Sequence, residues 1–153
     1  MTKITDNLRI IHNNPFIMAP LFTNFFYSLT EAENNYLFCY LLLPLVLKKD
    51  RRNFILNSKS NSSIHTFKKN QSRLVGLSDD VQYYKELTHN TMQHTIDNNW
   101  LVINDNLSVR VKENPQNIQR NLTSSYNASE KVSNILGDLD VLTVYRLLGI
   151  KSV

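Results

Sequence analysis

The feature that most constrains this chain is an almost wholly apolar run of twelve residues, Tyr36 to Leu47, followed at once by Lys48 and Lys49. A membrane-spanning helix needs about 20 apolar residues, whereas runs of about 10–14 are typical of helices buried in a globular core. The polar stretch TEAENN ends the run on its other side. We therefore predict a buried helix and no membrane segment.

Length and composition favour a single domain over residues 1–153. The chain has 42% hydrophobic residues, enough for a core, and only three Gly and four Pro, which is unlike a loop-rich β-sandwich. The first residues lack a charged segment followed by an apolar one, so no signal peptide is predicted and the expected compartment is the cytoplasm. Residues 1–13 are expected to form an N-terminal extension.

The first part of the chain contains two helix-start signals. Asn14 is a good N-cap, because Pro15 follows it at the first helical position. The TEAE sequence that begins at Thr30 has the form of a capping box, which predicts a helix over residues 31–47. This helix is apolar on every face, which indicates burial all round. Pro44 should kink it, because proline removes a backbone hydrogen bond.

The middle of the chain combines helices with one hairpin. Ser62 or Ser63 is predicted to cap a short helix, and Ser78 to cap an amphipathic one. The apolar stripe of the second helix comprises Val81, Tyr84, Leu87 or Thr88, Met92 and Ile96. Apolar residues alternate on both sides of NDN in WLVINDNLSVRV, which predicts a β-hairpin. The predicted fold is therefore mainly α (α+β): a compact helical domain with one hairpin and a winged-helix-like helix-plus-hairpin element.

Two further helices are predicted towards the C-terminal end. A capping box at residues 127–130 indicates a helix that stops at Gly137. Asp138 or Asp140 is expected to cap a last helix, and Gly149 with the apolar residue after it has the composition of a Schellman motif.

Positive charge concentrates in the Ser- and Asn-rich connecting segment of residues 48–73. This segment has eight basic residues against one acid, Asp50, although the net charge of the whole chain is only +4. Such a segment can contact phosphates or an acidic protein surface, or it can be a solvated loop. The residues expected to contact DNA or an acidic partner are Lys48, Lys49, Arg51, Arg52, Lys68, Lys69 and Arg73.

No pattern of catalytic or metal-binding residues is visible. His89 and His94 are five residues apart, which is not the i,i+4 spacing of a helical metal-binding pair. Cys39 lies within the apolar run and is expected to be a small core residue rather than a nucleophile. We therefore expect a protein that is not an enzyme, with no metal and no cofactor.

The order of these features resembles a known family. The most specific parts are YLLLPLVLKKDRR, SSIHTF with the Leu-Val-Gly that follows, and LTVYRLLGIK, and the resemblance extends from about Asn14 to Lys151. The chain is similar to the middle component of the three-component ABC-ATPase (ABC-3C) systems of bacteria. The accessory subunit of Lamassu-type antiphage defence belongs with these proteins.

This resemblance implies a non-catalytic subunit that bridges an ABC ATPase and an effector, often a nuclease. The ATPase would be of the structural-maintenance-of-chromosomes (SMC) or double-strand-break-repair type, and DNA would be contacted through the complex. A helix that is apolar all round also has more apolar surface than one small core needs, so part of it is expected to face a partner. The residues expected to contribute to that interface are Phe22, Phe25, Phe26, Tyr36, Leu41 and Leu43. Alternatively, the first helices pack against the helix of residues 81–96 and the hairpin of the same chain. The alternative hypothesis is a stand-alone winged-helix DNA-binding protein.

Overall fold

The computed structural model describes residues 13–153, so the predicted N-terminal extension lies outside the described residues except for Asn13. The described part is mainly α-helical with one small antiparallel hairpin, which confirms the predicted fold class. Its α-helices are α1 (Pro15–Ser28), α2 (Cys39–Val46), α3 (Lys49–Leu56), α4 (Ile64–Lys69), α5 (Leu77–Tyr83), α6 (Lys85–Asp97), α7 (Thr123–Leu136) and α8 (Val141–Leu147). Its strands are β1 (Leu101–Ile103) and β2 (Val109–Val111), and short 3-10 helices occupy Asn35–Phe38, Gln71–Leu74 and Arg120–Leu122.

Helix α1 begins where the sequence predicts. The side-chain Oδ1 of Asn14 accepts a hydrogen bond from the backbone N–H of Phe16 at 2.9 Å, and Pro15 occupies the first turn. Pro20 lies inside α1 without ending it. Helices α6 and α7 pack against α1, which buries nine consecutive residues, 18–26.

The helix predicted over residues 31–47 is shorter than expected. Residues 30–34 form no helix, Asn34 has a left-handed backbone with φ +63°, and α2 begins only at Cys39. Here contacts distant in sequence override the capping-box signal: the N–H groups of Asn34 and Tyr36 donate to the carbonyls of Asn106 and Leu107 in the hairpin loop, each at 3.0 Å. The segment is thus held by the hairpin rather than by a helix cap.

Helix α2 is buried on all sides, as predicted. All eight of its residues lie in the interior, including Cys39 and Pro44. The helix ends at Val46, two residues after Pro44, and a new helix begins at Lys49. None of the helices described in residues 13–153 is long and apolar enough to cross a bilayer.

The single helix predicted after Ser78 is divided in two. Helix α5 begins at Leu77, with Gly76 rather than Ser78 as its N-cap, and Tyr84 separates it from α6. Gly76 has φ +77°, a left-handed conformation that favours glycine over residues with a Cβ. The predicted apolar stripe of these helices nevertheless faces the interior, because its members are buried or half-buried.

Helix α7 also differs from its prediction, because it begins at Thr123 and so includes the proposed capping box. Asn127 is an exposed residue inside the helix and not its cap. The buried face of α7 contains small residues that let α1 approach closely. The Oγ of Ser133 donates to the Phe25 carbonyl at 2.7 Å, and Asn24 donates to the Oγ of Ser129 at 3.0 Å.

The hairpin and the last helix follow the sequence closely. Leu101 pairs with Val111 in the antiparallel register of β1 and β2. Asp140 is the N-cap of α8, since its side chain accepts a hydrogen bond from the N–H of Thr143. Gly149 has φ +73°, and the Ile150 N–H donates to the Tyr145 carbonyl at 3.0 Å, which is the Schellman pattern that the sequence predicts.

Candidate functional surfaces

Arg51, predicted to contact DNA or an acidic partner, lies inside the protein and is only 1% exposed. Its Nη1 donates to a carboxylate oxygen of Asp80 at 2.6 Å and to the carbonyl of Pro44 at 3.1 Å. Its Nη2 and Nε donate to the carbonyls of Val75 and Arg73 at 2.7 and 2.8 Å. The structure corrects this prediction, because a buried guanidinium whose three nitrogens are all hydrogen-bonded cannot reach a ligand at the surface.

Arg51 also explains why the connecting segment of residues 48–73 is folded rather than a solvated loop. On α3, Arg51 and Ile55 are four residues apart and both buried, so one face of this helix packs inward. Ser63 caps α4 as predicted, and its N–H donates to the Oγ1 of Thr66 at 3.2 Å. Two helices and a 3-10 helix therefore occupy most of this segment.

The other predicted basic residues remain at the surface of this segment. Lys48, Lys49, Lys68 and Lys69 are exposed, and Arg52 and Arg73 are half-buried. We call these six residues the basic surface. The ring of Phe54 on α3 lies 4.8 Å from that of Phe67 on α4, and the Arg73 guanidinium lies 5.7 Å from the Phe54 centroid. This packing brings the cations of the two helices and of the 3-10 helix onto one folded unit.

The charges of the basic surface are largely uncompensated. Within residues 13–153, the ion pairs of this region join only Lys48 and Arg51 to a carboxylate, that of Asp80, at 3.6 and 2.6 Å. Arg52 instead donates to the carbonyls of Val46 and Leu47, which fixes its position beside the end of α2. The exposed lysines thus keep a positive potential that can attract an anionic partner.

The residues predicted for a partner interface lie mostly in the core of the chain itself. Helices α1 and α2 are covered by other helices of the same chain, so their apolar faces are already occupied. The structure corrects the expectation of exposure for five of the six, and only Tyr36 is half-buried. The five with no more than 3% exposure are Phe22, Phe25, Phe26, Leu41 and Leu43.

The structure instead presents an apolar groove that the sequence did not indicate. It lies between α8, the 3-10 helix Asn35–Phe38 and residues 149–153, and it has a volume of about 540 Å³. Leu37, Leu142, Tyr145 and Ile150 contribute its apolar lining. We call this site the C-terminal groove. Leu142 is 66% exposed. In so short a helix, residue spacing alone does not show which apolar residue stays exposed.

Hydrogen bonds hold the walls of the C-terminal groove in place. The hydroxyl of Tyr145 donates to the carbonyl of Leu37 at 2.5 Å and so ties α8 to the 3-10 helix. Burial raises the pKa of this hydroxyl, which therefore stays protonated and able to donate. On the other side, the amide of Gln82 on α5 donates to the carbonyl of Ser152 at 3.2 Å.

Cys39 and His89, two residues of reactive types, are engaged by the packing and hydrogen bonding of the fold. Cys39 is fully buried, and burial raises the pKa of its thiol, so this residue is not a thiolate nucleophile in the folded chain. The Nε2 of His89 is 2.8 Å from the hydroxyl of Tyr40. In the part of the chain that the structure describes, no group of three or more His, Cys, Asp or Glu side chains is placed to hold a metal ion.

Comparisons with known proteins give one family. The family model described as ABC-three component (ABC-3C) system Middle Component 3 matches residues 2–152. Neither the comparison with curated proteins nor that with solved structures gives a significant match.

Proposed function

The chain belongs to the middle component 3 family of ABC-three component systems, and on that premise we propose that it is a non-catalytic accessory subunit. In this role it bridges an ABC ATPase and an effector by offering surfaces to both. The observation that carries the proposal is the family match over almost the whole chain, residues 2–152. A component of a multi-component system has protein partners among the other components.

The finer form of the proposal concerns the type of system. The ATPase would be of the SMC or double-strand-break-repair type, the effector would be a nuclease, and the system would protect bacteria from phage as Lamassu-type systems do. The complex would act in the cytoplasm. The resemblance of YLLLPLVLKKDRR, SSIHTF and LTVYRLLGIK to these accessory subunits supports this form.

Two features of the described residues support a role based on surfaces. Cys39 is buried, so its thiol is inaccessible to a substrate at the surface. Conversely, the basic surface and the C-terminal groove offer charge and apolar area of the kinds that proteins use to bind one another.

Co-expression tests the proposal directly. The chain is produced with the ATPase component of its own system, with the effector component, and with both, and each mixture is examined by size-exclusion chromatography with light scattering. The expected result is a complex with both partners that does not form between ATPase and effector when this chain is omitted. Direct assembly of ATPase and effector without it would contradict the bridging role.

The antiphage role has a separate test. Bacteria that carry the complete system are challenged with a phage panel, with and without the gene for this chain. The proposal expects protection that is lost when the gene is deleted and restored from a plasmid. Full protection in the deletion strain would contradict an essential role in defence.

DNA binding by the basic surface is a second candidate function, because its exposed lysines have no carboxylate within ion-pair distance in the described residues except at Lys48. A winged-helix mode of binding would instead place α6 in the major groove with the hairpin alongside, and Arg110 and Lys112 of the hairpin are exposed. These two sites are far apart in sequence and can be altered independently.

Duplex binding at several salt concentrations separates the two DNA hypotheses. For the basic surface, the variant K48E/K49E/K68E/K69E should weaken binding and reduce the slope of log affinity against log salt by about one for each lost phosphate contact. The matched variant R110E/K112E should leave both quantities unchanged. The reverse pattern would favour the winged-helix alternative. Both hypotheses would be rejected if neither the chain alone nor its complex bound duplex DNA measurably.

A further inference from the structure

Among the described residues, the apolar lining of the C-terminal groove includes one side chain, Leu142, that stays mostly exposed. Val144 and Tyr145 of α8, and Leu148 directly after it, lie in the core, and each is no more than 9% exposed. Leu142 is on the same helix but is 66% exposed and lines the groove. An exposed leucine beside a concave apolar surface contributes to binding energy when another chain covers it.

The rim of the groove carries positive charge. Arg146 and Lys151 are exposed and line it, and within residues 13–153 neither has a carboxylate within ion-pair distance. The acid at the start of α8, Asp140, is engaged by the N–H and the hydroxyl of Thr143 in the helix cap. A segment that enters the groove therefore meets both apolar side chains and two cations, so carboxylates beside its apolar residues would be complementary.

We propose that the C-terminal groove receives a short apolar segment, flanked by acidic residues, from another protein component of the same ABC-3C system. This inference rests on the proposed function and specifies where one of the partners docks. Leu142, Leu37 and Ile150 contact the apolar side chains of that segment, and Arg146 and Lys151 bind its carboxylates. Because hydrogen bonds from Tyr145 and Gln82 fix the two walls, the groove is preformed. Binding therefore costs this chain little conformational entropy.

The affinity of the purified chain for the purified ATPase component, and separately for the purified effector component, tests the proposal. The variant L142D removes the exposed apolar contact, and an acid in the first turn of α8 is compatible with the helix dipole. The variant R146E/K151E reverses the charge of the rim. Both should weaken binding to one of the two components about tenfold or more.

Phe16 provides the matched control. It is 66% exposed, lies in the first turn of α1 and does not line the groove, so F16D places the same acid at an equally exposed apolar position elsewhere. F16D should bind as the unaltered chain does. Circular dichroism and a urea midpoint for each variant establish that the fold is intact.

Each other outcome overturns a defined part of the proposal. If the unaltered chain binds a component and L142D binds equally well, the groove is not the docking site although the bridging function stands. If L142D weakens binding but R146E/K151E does not, the occupant is not acid-flanked. If the chain alone forms an oligomer that L142D dissociates, the occupant is a second copy. If it binds neither component, the proposed function fails and this inference with it.

Discussion

Arg51 illustrates how one side chain can decide the structure of a whole segment. Its planar guanidinium reaches the end of α2, the 3-10 helix Gln71–Leu74 and the carboxylate of Asp80 at once. Lysine has one nitrogen on a flexible stem and cannot reproduce this fork. One of the residues that the sequence predicted to contact DNA or an acidic partner is therefore buried by the fold.

Replacing Arg51 should destabilise the protein more than replacing any neighbouring cation. In R51M, Asp80 and three carbonyls lose a buried charged partner, so we expect the free energy of unfolding to fall by about 3 kcal/mol. The free energy of unfolding of R51K should lie between those of R51M and the unaltered chain. Urea denaturation followed by circular dichroism gives the comparison.

The control for Arg51 is K49M, at an exposed position on the same helix. Its unfolding free energy should stay within about 0.5 kcal/mol of the unaltered value. Equal effects of R51M and K49M would mean that the buried hydrogen bonds of Arg51 contribute nothing net.

At the scale of elements, the same local signal has two outcomes in this chain. Asn14 caps α1 with its side chain, whereas Asn127, which begins a predicted capping box, lies inside α7. The difference arises because α7 extends back to Thr123 after the 3-10 helix that ends at Leu122, whose side chain is buried. Local preference sets a cap only where packing does not continue the helix past it.

Alanine substitution of these two asparagines should change stability in opposite directions. N14A removes the cap hydrogen bond and should lower the free energy of unfolding by about 1 kcal/mol. N127A replaces an exposed mid-helix asparagine by the best helix former and should stabilise by about 0.5 kcal/mol. Thermal unfolding of both variants tests the pair, and a loss of stability in N127A would restore the cap interpretation.

At the scale of the whole molecule, several ionisable groups are held protonated by the core. Burial raises the pKa of Cys39 and of Tyr145, and it also raises the pKa of Tyr36, with smaller contributions from Cys39 and Tyr40. The unfolded chain ionises its thiol near pH 8.5 and its phenols near pH 10. The stability from these groups is fully present below those unfolded pKa values and is lost as the pH rises above them.

Alkaline conditions should therefore weaken the fold in two stages. From about pH 8.5, the Cys39 thiol alone should reduce the free energy of unfolding by about 1.4 kcal/mol per pH unit. Urea midpoints measured from pH 7 to pH 11 test this. In C39A the decline should begin only near pH 10, and a slope identical to that of the unaltered chain would show that Cys39 is not the cause.

The sequence by itself determined the helical class, the hairpin, the start of α1, both ends of α8 and the burial of the apolar run. These features depend on local chemistry: residue spacing, the caps at Asn14 and Asp140, and the glycine at position 149. Tertiary structure decided the start of α2, the interior place of Arg51 and the existence of the C-terminal groove. Each of these arises from groups distant in sequence, such as the hairpin loop that holds Asn34 and the Asp80 carboxylate that pairs with Arg51. No local pattern records such partners, because their energy exists only once the chain has folded.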